Sequence, residues 1–237
     1  MKNLILIFLF LITSCKQAES KPRNTTNSGT QIFSYARLIG DKLSVKFVNR
    51  GINSSVLAAS TVGNNAGDPM VYRVDNISND ADLITIMGGT NDFRNGLFPL
   101  GTMADTVETS YYGALKMLCQ KLITRFHTAR ADSGQLPATI VLCTPFKMLN
   151  GSGWTYNPAI QDWVNAVKEV GKYYGLPVFD TNNLVGINPH LDRTLDGTDV
   201  NAPDWYNPLV PDGIHLTERA HQMVAEKLMG FIKTLKG

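Results

Sequence analysis

The spacing of apolar residues along the chain predicts an alternation of helices and strands. Apolar residues recur every third or fourth position, as in a helix, in residues 31–43, 105–130, 159–175 and 217–235. Strand-like patterns, either alternating or continuously apolar, occupy residues 44–49, 82–87, 138–144 and 176–180. Strands that alternate with helices predict an α/β domain whose parallel sheet is covered by helices on both faces.

One further apolar stretch, residues 4–12, has two interpretations. This run of nine residues is shorter than the roughly 20 needed to span a membrane, and it fits the hydrophobic region of a signal peptide. Its ending, ITSC at residues 12–15, resembles a bacterial lipobox, which implies lipidation of Cys15 and removal of residues 1–14. A buried strand would have the same apolar pattern.

These features predict three parts: a lipoprotein signal peptide (1–14), a polar tether (15–29) and one folded domain (30–237). Residues 16–27 contain no aromatic residue and no apolar β-branched residue, a composition typical of a flexible tether. The expected location is therefore the bacterial cell envelope, periplasmic or at the cell surface. Contact with the membrane would be made only through the lipid anchor.

Composition narrows the function classes. A chain of 237 residues with 43% hydrophobic residues can build one domain with a full core. Its net charge of +2 offers no basic surface, so no nucleic-acid partner is expected. Cys119 and Cys143 lie in apolar stretches and are predicted to be buried and structural. No histidine or cysteine spacing typical of a metal site is present, so neither a metal nor another cofactor is expected.

Three polar motifs flank the predicted strands and the last helix. NRGIN (49–53) and GGTND (88–92) each follow a strand, and PDGIHL (211–216) precedes the helix. Ligands of doubly wound sheets bind outside the carboxyl ends of the strands, so these motifs predict a common site. Asn91 offers a side-chain N–H donor. Asp212 precedes His215 by three residues, a spacing at which a turn can orient the imidazole as a general base.

Over roughly residues 29–235, these motifs resemble those of the SGNH/GDSL hydrolase superfamily. The resemblance implies a three-layer α/β/α fold with the flavodoxin-like strand order 2-1-3-4-5. It further implies that the Gly51 backbone N–H and the Asn91 side chain form an oxyanion hole. His215 would act as the base and Asp212 would support it. The implied reaction is hydrolysis of an ester through a serine nucleophile, and it needs no cofactor.

The nucleophile motif of that superfamily, Gly-Asp-Ser after the first strand, is not present in this sequence. Residues 31–43 match the helix that follows the motif, so the nucleophile is expected just before residue 31. Thr25, Thr26 and Ser28 are the candidates. Ser28, the one serine among them, is the tentative nucleophile.

Loss of this motif also predicts that the first strand, central in the sheet, is absent or atypical. Three explanations are open. The leading hypothesis is that the strand and motif were lost, which would impair catalysis. Alternatively, residues 16–29 fill the gap as a poor strand. In the third explanation residues 4–12 are themselves the central strand, which would place Thr13, Ser14 or Cys15 near the pocket.

The sequence thus predicts a lipid-anchored ester hydrolase acting on O-acetylated carbohydrate or another small ester, with activity dependent on an unidentified nucleophile. Phospholipid or thioester hydrolysis is a weaker option. The alternative from another class is a non-enzymatic carbohydrate-binding protein on the same scaffold. The oligomeric state is not predicted. Four aromatic residues in predicted loops either stack on sugar rings or anchor their loops: Trp154, Tyr156, Trp205 and Tyr206.

Overall fold

The computed structural model describes most of the chain between residues 34 and 235, together with a short N-terminal strand. The described residues are 34–52, 55–59, 69–96, 98–147, 159–187, 209 and 215–235, and the backbone alone of 6–9, 149–150 and 155–156.

Within these residues, a parallel sheet and a small antiparallel pair contain all the strands. The parallel sheet consists of β1 (Leu6–Leu9), β2 (Phe47–Asn49), β3 (Leu83–Met87), β4 (Thr139–Cys143) and β7 (Val178–Phe179). The antiparallel pair consists of β5 (Leu149–Asn150) and β6 (Thr155–Tyr156). The order β2-β1-β3-β4-β7 is the flavodoxin-like order, with β7 as the fifth strand, so the predicted topology is confirmed.

The central position of the sheet is filled by β1. Leu6 lies opposite Phe47 of β2 on one side and opposite Leu83 of β3 on the other, and both neighbours run parallel to it. The leading hypothesis, loss of the first strand, is therefore wrong, and the third explanation matches this arrangement. The sequence left it as the third explanation because a strand with neighbours on both sides is continuously apolar, as is a signal peptide.

Helices follow the strands in the alternating order that the sequence predicted. They are α1 (Tyr35–Leu43), α2 (Thr90–Asn95), α3 (Tyr111–Ile123), α4 (Ala129–Asp132), α5 (Ile160–Tyr174), α6 (Thr181–Leu184) and α7 (Glu218–Thr234). A π-helical turn (Thr124–Thr128) joins α3 to α4, and two 3₁₀ helices (Met70–Tyr72 and Val74–Asn76) precede β3. Among the described helices, none is both long and apolar enough to cross a membrane.

The sheet separates two apolar clusters, which confirms the three-layer α/β/α fold. In β4, Ile140 and Leu142 pack with α3 and α5, whereas Val141 and Cys143 pack with α1 and α7. Successive residues of a strand point to opposite faces, so one continuously apolar strand serves both clusters. Cys119 and Cys143 are buried free thiols, as predicted, and burial raises the pKa of both.

Helix ends follow the capping residues more closely than the apolar spacing. The Thr217 side chain accepts the Ala220 N–H and starts α7, and the left-handed Gly175 ends α5, both as predicted. The long helix expected from residue 105 instead begins at Tyr111. Ser110 caps α3 by accepting the Gly113 N–H, and its hydroxyl donates to Asp105. These contacts hold residues 105–110 as a turn.

Candidate active site

The carboxyl end of β3 turns sharply into α2 through two glycines. Gly89 has φ +106°, and a Cβ placed on it would lie 2.5 Å from the Tyr111 hydroxyl oxygen. The same hydroxyl donates to the Gly88 carbonyl oxygen at 3.2 Å. Only glycine fits here, because the backbone is left-handed and the space is already occupied by a buried tyrosine. The turn places Asn91 and Asp92 in the first turn of α2.

Asn91, a predicted oxyanion donor, is 4% exposed at this edge of the sheet. Its Nδ2 donates to the Ser55 carbonyl oxygen at 3.1 Å. An amide nitrogen carries two hydrogens, so one can hold the Ser55 segment while the other donates to a ligand oxygen. The side chain is thereby fixed before any substrate arrives, which is the requirement for an oxyanion donor.

Asp92 anchors the same segment from the next position. Its carboxylate accepts the N–H groups of Leu57, at 2.9 Å, and of Ala58, also at 2.9 Å. Burial raises the pKa of Asp92. The backbone donors favour the ionised form and offset part of this rise, which leaves the pKa at about 6. No role for Asp92 was predicted from the sequence, although its place directly after Asn91 in the GGTND motif was an available signal.

A buried arginine holds the other side of this segment. Arg73, between the two 3₁₀ helices, is 1% exposed. Its guanidinium donates to the Arg50 carbonyl oxygen at 2.8 Å and to the Ser55 Oγ at 2.6 Å. The segment after β2 is therefore fixed by three side chains from two separate parts of the chain: Arg73, Asn91 and Asp92. Arg73 was not predicted from the sequence. The available signal was one charged residue between Tyr72 and Val74.

Gly51, the second predicted oxyanion donor, follows β2 as expected. Its N–H donates to the Asn49 Oδ1 at 2.8 Å, closing a small side-chain turn. For Gly51 to donate to a substrate oxygen, the Asn49 side chain must release this hydrogen. Its role as an oxyanion donor remains a prediction.

His215, the predicted base, is half-buried two residues before the N-cap of α7. The Thr217 N–H donates to the Leu209 carbonyl oxygen at 2.9 Å, which connects the start of α7 to residue 209. The other predicted site residues lie outside the described residues: Asp212, Ser28, Thr25, Thr26, Cys15, Trp154, Trp205 and Tyr206. The orientation of His215 by Asp212 therefore remains a prediction.

Elsewhere in the described residues, no three histidine, cysteine or acidic side chains lie close enough to hold a metal ion. His127 contacts the Ala138 carbonyl oxygen through Nε2 at 2.9 Å. His221 accepts the Tyr35 N–H through Nδ1 at 3.3 Å, at the start of α1. Both contacts join a histidine ring to the backbone of another segment, which is a structural role.

Comparison with known proteins adds to this geometry. The profile of the GDSL-like lipase/acylhydrolase family matches residues 22–223, a range that begins after β1. No curated protein sequence matches the chain.

Solved structures resemble the whole chain at low identity. A Lactobacillus plantarum protein is 22% identical, with a TM-score of 0.67 over 98% of this chain and 97% of its own. Est24, a carbohydrate acetylesterase from Sinorhizobium meliloti, is 13% identical, with a TM-score of 0.60 over 99% and 100%. The M. smegmatis aryl esterase is 13% identical, with a TM-score of 0.58 over 98% and 99%. At these identities the likeness establishes the fold.

Proposed function

The chain belongs to the GDSL-like lipase/acylhydrolase family, and we propose that it hydrolyses small acyl esters, with O-acetylated carbohydrates as the substrate class. The observation that carries the proposal is Asn91, a buried amide fixed by the Ser55 carbonyl at the carboxyl end of β3. The carbohydrate part is supported by the shared fold with an acetylesterase that acts on carbohydrate.

The proposed reaction is acyl transfer to water. A serine hydroxyl attacks the ester carbonyl, and His215, oriented by Asp212, takes its proton. The negative charge that develops on the carbonyl oxygen is stabilised by the Asn91 amide and the Gly51 N–H. The tetrahedral intermediate expels the alcohol, which receives the proton from His215. Water then releases the acyl group by the same steps.

Two serines are candidates for the nucleophile. Ser28 is the tentative choice from the sequence, whereas Ser14 was a sequence candidate only if residues 4–12 formed the central strand. The strand register supports Ser14 as well, because Leu9 of β1 lies opposite Ile86 of β3. Counting five residues forward from each member of this pair reaches Ser14, which lies outside the described residues, and Asn91, in the first turn of α2. Processing of the N-terminus distinguishes the two candidates. Removal of residues 1–14 would delete Ser14 and keep Ser28.

The location is part of the same proposal. Lipidation of Cys15 in the bacterial cell envelope is supported by the lipobox-like residues 12–15. Cleavage there would also remove β1, so a processed protein and a protein that keeps β1 differ in fold and in nucleophile. The mass of the mature protein distinguishes them. An intact N-terminus would contradict the anchor, whereas a lipidated Cys15 would exclude Ser14.

The test uses the full chain from Met1 with p-nitrophenyl acetate and an O-acetylated oligosaccharide. Fluorophosphonate labelling followed by peptide mapping identifies the nucleophile, with Ser14→Ala and Ser28→Ala as paired variants. We expect His215→Ala to lower kcat by about 10²–10⁴-fold. His127→Gln is the control, since His127 contacts the residue before β4, at the opposite edge of the sheet.

Asn91→Ala is expected to lower kcat by about 10²–10³-fold, the usual effect of removing one oxyanion donor. Hydrolysis that is unchanged in the His215 and Asn91 variants would contradict the proposed site. A folded chain that binds the oligosaccharide but shows neither hydrolysis nor labelling would support the alternative of a non-enzymatic binding protein.

A further inference from the structure

Arg73 contacts both ends of the segment that follows β2. One nitrogen of its guanidinium donates to the Arg50 carbonyl oxygen and the other to the Ser55 Oγ, at 2.8 and 2.6 Å. Residues 50 and 55 bracket Gly51, the predicted backbone donor. A single planar group thus fixes the separation between the entry and the exit of this short segment.

The contact with Arg50 also acts on Gly51 directly. The Arg50 carbonyl and the Gly51 N–H belong to one planar peptide unit, so a bond that fixes the oxygen also fixes the direction of the N–H. At the other end, Ser55 accepts the Arg73 guanidinium through its hydroxyl and the Asn91 amide through its carbonyl. Arg73 therefore connects the two predicted oxyanion donors, Gly51 and Asn91, through one residue on each side.

From this network we propose that Arg73 is a positioning residue that sets the relative placement of Gly51 and Asn91. The proposal rests on the proposed function, because it deepens the account of the same site. An arginine suits this task because its guanidinium offers several N–H donors in a fixed fork and stays charged when buried. Lysine keeps the charge but cannot hold two separate acceptors with the same planar geometry.

Arg130 provides a matched control. Its guanidinium donates to the Ala81 carbonyl oxygen at 2.7 Å and to the Asp82 Oδ1 at 3.0 Å. Both acceptors precede β3, so they lie at the amino edge of the sheet, away from Asn91. Arg73→Lys and Arg130→Lys therefore remove comparable contacts from a largely buried arginine, but only the first touches the segment that carries Gly51.

The kinetic test compares these variants with p-nitrophenyl acetate at equal concentrations of folded protein. We expect Arg73→Lys to lower kcat by about 10–100-fold with KM changed by less than about twofold, because misplaced donors act on the transition state. Arg130→Lys is expected to keep kcat within about twofold. Millimolar methylguanidinium should partly restore kcat in Arg73→Ala. An equal change of kcat in both lysine variants would overturn the proposal.

A second measurement separates this proposal from the proposed function. In ¹H–¹⁵N spectra, Arg73→Lys should move the Gly51 backbone amide and Asn91 side-chain amide resonances, whereas Arg130→Lys should leave them in place. Unmoved resonances in Arg73→Lys would overturn the positioning role whether or not the chain is an esterase. If the resonances move in Arg73→Lys but the wild-type chain shows no His215-dependent hydrolysis, the positioning geometry is supported and only the proposed function is contradicted.

Discussion

β1 and β3 are neighbouring parallel strands with similar composition, LIFL and LITIM, and they pair over four residues. Their sequence contexts differ. β3 is followed by two glycines and by Asn91 and Asp92, which hold residues 55–58 through hydrogen bonds. β1 lies within the apolar run 4–12, which is preceded by Met-Lys-Asn and ends at the ITSC of residues 12–15, the context of a bacterial signal peptide.

The comparison shows that an apolar run does not identify a strand by itself. β3 is recognisable because polar and glycine residues mark where it ends, and because those residues have partners elsewhere in the fold. The only mark of β1 as a strand, among the described residues, is its backbone pairing with β2 and β3. It lies outside the range of the family match. Substitutions in β1 and at the end of β3 therefore test how much each strand contributes to the stability of the fold.

The largest expected effect is loss of folding when residues 1–14 are removed. Without β1, backbone N–H and C=O groups on the facing edges of β2 and β3 lose their partners inside the protein, which is costly. We expect the full chain to unfold cooperatively on heating and the shortened chain to show no cooperative transition. Circular dichroism over a temperature range measures both.

Two single substitutions make the same test within β1. Ile7→Pro removes a backbone N–H from a strand with neighbours on both sides and should also abolish the transition, whereas Ile7→Val should have little effect. If the shortened chain instead melts at the same temperature as the full chain, residues 1–14 contribute nothing to the fold and act as a removable leader.

Gly89→Ala, at the end of β3, is the next substitution expected to destabilise the fold. Alanine would combine a strained φ of +106° with a contact of 2.5 Å to the buried Tyr111 hydroxyl. We expect a loss of roughly 2–4 kcal/mol in the free energy of unfolding, measured with urea. Gly134→Ala is the control, because Gly134 also has a positive φ (+73°) but no atom within 4 Å of the added Cβ. Equal losses in the two variants would show that Tyr111 relaxes freely.

The sequence predicted the parts of the fold that local pattern determines. Periodicity located α5 and α7, and Gly175 and Thr217 marked two of their ends. It placed the start of α3 too early because Val107 fits the helical spacing, although it is 53% exposed in the structure. Short elements such as α6 and the two 3₁₀ helices were not predicted, since three or four residues carry no periodicity.

The sequence predicted only those residues of the candidate site that belong to a single local motif. Asn91 follows a recognisable strand, so its position at the sheet edge could be predicted. The contacts of Arg73 with residues 50 and 55 depend on how two distant segments meet in the folded chain, and no local pattern reports that. The fate of residues 4–12 was ambiguous for a different reason, since secretion and burial in a sheet both require a continuous apolar run.

The buried side chain of His221 contacts the start of α1, the first helix described after β1, so its titration tests the packing there. His221 accepts the Tyr35 N–H, and burial lowers its pKa to about 4 from an ordinary 6.5. Its contribution to stability is therefore complete above pH 6.5 and is lost as pH falls through about 4. We expect the free energy of unfolding of the wild type, relative to His221→Gln, to fall by roughly 3–4 kcal/mol over this range. If the difference in stability between wild type and His221→Gln stays constant across this range, His221 is protonated as easily in the folded protein as in the unfolded chain.

Asp92, in the turn of helix that follows β3, should give the opposite trend, of similar size. Burial raises its pKa to about 6 from 3.8, so the folded protein binds a proton more tightly than the unfolded chain. Its contribution is complete below pH 3.8 and is lost as pH rises through about 6, by roughly 3 kcal/mol relative to Asp92→Asn. Because the two trends overlap and oppose each other, the wild-type profile hides both, and each variant must be measured separately. A stability difference between wild type and Asp92→Asn that grows with pH would mean that the Leu57 and Ala58 donors outweigh burial. Asp92 would then anchor the segment as a fully ionised carboxylate.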